Sequence, residues 1–184
     1  MAYTLQEFCR DARKILKSGA NGTLLEKVKS CMERLVKDEQ FVKDYFHDQM
    51  DLGLHKIYTD PELGFEVMTY RYDKARGSQP HDHGDSWAIY AQVREYTDMK
   101  EYERTDDGKN PERASLKVKA EYRLNPGQAG IYWGRELHST STPAGARYLR
   151  ITGTDLENIP RIRIDTATGR VIIIHGRQVS PTGA

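Results

Sequence analysis

Cysteine is nearly absent from this chain: Cys9 and Cys31 are the only two in 184 residues, too few for a disulfide framework. Both fall on apolar faces of expected helices, which makes them core residues rather than a nucleophile or a redox pair. No apolar run approaches the ~20 residues of a membrane span, and the opening MAYTLQEFCRDARK lacks the apolar centre of a secretory signal. A cytoplasmic protein with no membrane partner is therefore expected. Charge of one sign is missing too: Lys+Arg of 28 against Asp+Glu of 27 gives +1. Without a basic stripe interleaved with aromatics, nucleic acid is not the expected partner. Repeats, linkers and low-complexity tracts are also lacking. With 38% hydrophobic and 30% charged residues, the chain reads as one domain able to bury a sizeable core.

What is present divides into three stretches within a single domain over 1–184. In 1–50, Leu5, Phe8, Cys9, Ala12, Ile15 and Leu16 recur at helical spacing behind a capping Thr4. Leu24, Leu25, Val28, Cys31, Met32, Leu35 and Val36 do so again after Asn21-Gly22-Thr23, and a short third helix is expected over Gln40–Phe46. Over 53–155 the pattern changes to short strands. These are expected at Leu54–Tyr58, Gly64–Tyr72, Ser86–Arg94, Asp98–Arg104, Leu116–Leu124, Gly130–Trp133, Ser139–Ser141 and Arg147–Thr154. Turns fall at Asp60-Pro61, Asn125-Pro126-Gly127 and Pro143-Ala144-Gly145. Many short strands broken in this way suggest a jelly-roll or closed β architecture. The remainder, 156–184, holds a terminal hairpin (Arg161–Asp165 with Arg170–His175) and a tail. Its Val171-Ile172-Ile173-Ile174 run has no polar alternation, so it is expected to be buried against the barrel or against a second copy in a homodimer.

The most informative residues are His81 and His83 in SQPHDHGDSWAIYAQV (78–93). Histidines two apart on a strand face the same side and can meet one metal ion. His138, in YWGRELHST, follows fifty-five residues after His83, at the end of another expected strand. An isolated pair of this kind is more often satisfied by ordinary hydrogen bonds. Here Pro80 precedes it, an apolar-aromatic run follows, and Asn125-Pro126-Gly127, Gly134 and His138 match it downstream.

That pattern resembles the paired metal-binding motifs of the cupin superfamily. His81-Asp82-His83-Gly84-Asp85-Ser86 is similar to the HDHxxS segment of the cysteine dioxygenase-like thiol dioxygenases, with His138 at the place of their third histidine. Typical cupins add a Glu four or five residues after the second His, where this chain has Trp87 and Ala88. The N-terminal helices, including LVKDEQFVKDYF, resemble the same branch. The likeness implies a mainly β, cupin-type double-stranded β-helix (a jelly-roll barrel) behind an N-terminal helical segment. It also implies a metal at His81, His83 and His138 with open positions, most simply Fe(II). By ligand type alone zinc, nickel, manganese and copper stay open.

Around the metal the chain departs from the family. A gapless count puts His55 where the family's carboxylate-binding Arg stands, beside Lys56. The family's Tyr near the chain's end falls near Thr152 or Asp155, the His before it near Arg150 or Gly153, and its cross-linking Cys at Ala88. Tyr70 and Tyr72 share a strand face, so they line either a pocket or the core, and Tyr90 and Trp133 raise the same alternative. Arg150, charged in an apolar strand, faces solvent or anchors an anion. Asp82 reads as a turn or supporting carboxylate, and His47 and His175 as surface residues.

Three functions fit. The first is a mononuclear non-heme iron dioxygenase using O2 on a small thiol or another small chelating metabolite, with His55, Tyr70, Tyr72 and Arg150 as the residues around the substrate. The second is a metal-dependent cupin lyase, isomerase or hydrolase working without O2. The third is a cupin that only binds a ligand. With His55 in place of an arginine, L-cysteine is expected to be a poor substrate and the true one smaller or less anionic.

Overall fold

The protein, described here from a computed structural model, is seen over residues 2–175. The tail expected beyond the terminal hairpin therefore lies outside the described residues. Helices α1 (Leu5–Leu16), α2 (Gly22–Leu35) and α3 (Glu39–Tyr45) come first. Thr4 and Glu7 form a reciprocal cap on α1, Asn21 accepts from the Leu24 N–H, and Asp38 caps α3.

Eleven strands follow: β1 (Gly53–Thr59), β2 (Glu66–Arg71), β3 (Arg76–Gly77), β4 (Ala88–Arg94), β5 (Thr97–Arg104), β6 (Leu116–Leu124), β7 (Ala129–Tyr132), β8 (Leu137–Thr142), β9 (Arg147–Thr152), β10 (Arg161–Ile164) and β11 (Val171–Ile174). They order as β1-β2-β9-β4-β7 in one sheet and β3-β8-β5-β6 in the other, with β10-β11 as a hairpin. From β2 to β9 the pairing is nested: β5 with β6, β4 with β7, β3 with β8, and β2 with β9. This is one long hairpin wound upon itself, the double-stranded β-helix or jelly roll. The two-residue β3 was too short to be read from sequence.

The central strands β2, β9 and β4 of the five-stranded sheet are buried on both faces. Val67, Ile89, Ala91, Leu149 and Ile151 point outward and pack beneath Phe8, Ala12, Leu25, Val28 and Met32 of the helices. The Ala129 N–H bonds to the Glu33 carboxylate at 3.0 Å, tying α2 to β7. The alternate residues Met68, Tyr70, Ala88, Tyr90 and Tyr148 face inward with Met99, Leu124 and Tyr132. Pleat parity then places Arg150, two residues after Tyr148, on the interior face as well.

The terminal hairpin meets only in part the expectation that the barrel covers its apolar run. Ile164 is buried with Ala114 and Leu137, and Val171 packs at the edge of that cluster. Ile173, however, is 58% exposed; β11 ladders with β10, and the Val171 N–H bonds the Glu112 carbonyl at 2.8 Å.

Candidate metal centre

The three histidines meet as the sequence predicts, although not through a shared strand. His81 and His83 do not share a regular strand; β4 begins only at Ala88. His81 sits in an isolated bridge between His138 on one side and Arg163 of β10 on the other. Beyond it the chain turns through Gly84, whose φ is +59°. Asp82 holds this turn: its Oδ1 accepts from the Gly84 N–H at 3.1 Å and the Ile162 N–H at 2.8 Å. His138 lies near the start of β8 rather than at a strand's end. The ring centroids are 5.6 Å apart for His81–His83, 4.6 Å for His81–His138 and 4.8 Å for His83–His138. One ligand atom from each lies within 4.8 Å of the others.

The electrostatics suit a cation. Burial lowers the pKa of His81; burial and then repulsion from the other histidines hold His83 and His138 well below the usual histidine range. All three are neutral near pH 7, as ligands must be. Carbonyls set the tautomers: His81 Nδ1 donates to the Gln79 oxygen at 3.0 Å and His138 Nδ1 to the Glu136 oxygen at 3.3 Å, leaving each Nε2 with its lone pair. His138 Nε2 and His83 Nδ1 are buried without a protein partner. Unpaired buried nitrogens are costly, and a divalent transition metal would satisfy them. His83 Nε2 meets the Tyr90 hydroxyl at 3.0 Å. Tyr132 stacks on His138 at 4.4 Å, and its hydroxyl bonds that of Tyr122 at 2.7 Å.

His81 opens onto an inner cavity of about 150 Å³, lined also by Tyr70, Tyr72, Arg76, Tyr90, Tyr148 and Arg150. Among the described residues no carboxylate lines it, whereas Glu66, Asp155 and Glu157 line the space beyond. A second space, about 400 Å³, shares Tyr70, Arg76 and Arg150 and adds Lys56, Met68 and Arg161. Tyr70 stacks on Tyr148 at 4.5 Å, and its hydroxyl is buried with no bond.

Of the residues expected around the substrate, Tyr70, Tyr72 and Arg150 reach the cavity and His55 does not. On β1 the neighbours Leu54 and Lys56 face the outer space, so the pleat turns His55 the other way. Its Nε2 bonds the Asp51 and Leu52 carbonyls at 3.1 and 3.3 Å. Trp133 joins the helix-covered core rather than the cavity, and His47 and His175 are exposed. Sequence reasoning missed Arg161. It belongs to a hairpin whose docking on the barrel leaves no periodic trace.

No protein-family model matches this chain, and no curated protein matches its sequence. Among solved structures, it is similar to KdgF from a Halomonas species at 15% identity, covering 59% of this chain and 87% of the other with a TM-score of 0.42. The cupin domain of Cnp3 from Schizosaccharomyces pombe is similar at 10% identity, covering 60% and 73% with a TM-score of 0.43. A cupin superfamily protein from Desulfitobacterium hafniense is similar at 8% identity, covering 59% and 84% with a TM-score of 0.40. At such values the jelly-roll assignment stands on the nested strand pairing itself: the chain is a mainly β double-stranded β-helix with N-terminal helices and a three-histidine cluster able to hold a metal.

Proposed function

We propose that the protein is a mononuclear non-heme iron dioxygenase of the cupin type, oxidising a small thiol or other small chelating metabolite with O2. The observation that carries this reading is the donor set: three converging imidazoles, two of them with an unpartnered buried nitrogen, beside an inner cavity with no carboxylate among its described walls. A set of histidines without a fourth protein ligand leaves room for a substrate donor and O2 together. Iron(II), when held there, supplies the one-electron chemistry that O2 requires.

The chain's own residues have three tasks. His81, His83 and His138 hold the ion, with the Gln79 and Glu136 carbonyls fixing two of the rings. Tyr90 orients the third through its hydroxyl and also lies 3.4 Å from an Arg150 Nη1, linking the metal ligands to the cationic wall. The stacked Tyr70 and Tyr148 give the same cavity an aromatic wall. Because the inner cavity offers no Asp or Glu as a general base, the hydrolytic and lyase reading is supported less well.

Metal analysis of freshly purified protein, followed by oxygen-electrode screening of thiols and chelating acids, tests the proposal. About one iron per chain and stoichiometric O2 uptake with one substrate class is the expected result. Tight zinc retention, with no O2 consumed by any substrate after iron loading, would overturn it.

A further inference from the structure

Arg150, joined to His83 through the Tyr90 hydroxyl, carries a positive charge that no salt bridge among the described residues neutralises. Arg150 has a buried Nε with no partner. Its remaining contacts are weak: the Tyr90 hydroxyl at 3.4 Å, the Met68 sulfur at 3.3 Å, and the faces of Tyr70 and Tyr90 at 5.0 and 5.8 Å. Arg161 enters the same outer space from β10, and its Nε is also buried without a partner. Among the described residues, no salt bridge joins either guanidinium to a carboxylate. Three acids line that space: Glu66 and Asp155 are engaged by Lys56, and the third, Glu157, acts on Arg161. Burial and then the positive Arg150 depress the Arg161 pKa, while Glu157 acts on it less. Two guanidiniums held close with unsatisfied N–H groups are unfavourable alone. They become favourable once an oxyanion accepts from both.

The placement of this pair is informative. Tyr70, Arg76 and Arg150 line both the inner cavity beside His81 and the outer one beside Arg161, so the two spaces meet at Arg150. A ligand reaching outward from His81 through the inner cavity meets Arg150 and then the space that Arg161 lines. We propose that Arg150 and Arg161 bind an acidic group of the substrate separate from the group offered to the histidine centre, so that the site selects small organic diacids. Arg161 is then a specificity-determining residue delivered by a hairpin outside the jelly roll. Charge agrees: a divalent ion at one end and two guanidiniums at the other match a ligand with an acid at each. The inner half of this rests on the metal reading; the outer half does not.

Titration calorimetry on zinc-loaded and metal-free protein, with malonate, succinate, glutarate and propionate as probes, separates the two. In the zinc-loaded protein, at least one diacid should bind tenfold or more tightly than propionate. Arg161→Gln should weaken that diacid at least tenfold, loaded or metal-free, and Arg161→Lys should recover part of the loss. Arg161→Gln leaves the barrel's own strands untouched, and an unchanged melting temperature would certify its fold. Should zinc fail to bind, the metal reading falls while the metal-free titrations still decide the guanidinium pair. Diacids no better than propionate in loaded protein, or full diacid affinity in Arg161→Gln, would overturn the proposal.

Discussion

His81 and His138 exchange both of their backbone hydrogen bonds, the His81 N–H to the His138 carbonyl at 2.9 Å and the reverse at 3.0 Å. Main chain, not imidazole, brings these segments together. Removing the rings should therefore empty the metal site and leave the bridge. In a His81→Ala, His83→Ala double variant, bound metal should fall by more than tenfold while amide exchange across β4, β8 and β9 stays protected. Elemental analysis showing full occupancy would refute the site.

Gly84 is the tightest point beside the centre. A Cβ there would lie 2.4 Å from the Pro160 carbonyl oxygen, at a φ of +59°. The left-handed conformation alone costs about 1–2 kcal/mol for an L residue, and the Pro160 carbonyl is backbone that cannot swing aside as the Ile159 side chain can. Gly84→Ala should lower the melting temperature by several degrees and weaken zinc binding, because the displaced turn carries His83. An unchanged melt in calorimetry would show that the turn is softer than its contacts imply.

Acid should act through Asp60. Burial pulls its pKa up, but the Leu63 and Glu62 amides, Arg13 Nε at 2.7 Å and the Tyr58 hydroxyl at 3.1 Å more than offset this and hold it below the usual carboxylate range. A carboxylate whose folded pKa lies below its unfolded value of ~3.9 contributes stability that is complete above that value and lost as pH falls. Melting temperature followed from pH 6 to 3 should drop less steeply in Asp60→Asn than in the parent. Parallel curves would show that Asp60 is not a source of acid lability.

Truncation after Ile159 should expose the Ala114–Leu137 patch that Ile164 covers and remove the Ile162 N–H from Asp82. Aggregation on gel filtration is expected. A soluble truncated protein with an unaltered melt would mean that the hairpin is an independent appendage.

The contrast between Arg150 and His55 shows how far the sequence could be read. Histidine spacing was legible because it survives a wrong guess about the backbone: a turn held by Asp82 brings the pair together as effectively as a strand would. His55 failed because a gapless count fixes position only to a residue or so, and one residue reverses the face of a strand. The chain even bulges next to it, between Lys56 and Tyr58. Arg150 could have faced either way until the sheet proved to be buried on both sides. With His55 gone from the cavity and two guanidiniums in it, the expectation of a less anionic ligand loses its basis.

The nested strands also bear on how the chain finds its fold. Glu66 and Thr152 are far apart in sequence, yet they are register partners in β2 and β9. Were β2 to seek β9 directly, loop closure would be slow; once β5 and β6 have paired near Arg104 and Leu116, each outer pair joins ends already drawn near. Assembly should run outward like a zipper, with the His81–His138 bridge closing only at the level of β3 and β8. A metal ion held there would arrive too late to seed the process and would act as a latch: refolding in zinc should be no faster than without it, and unfolding markedly slower.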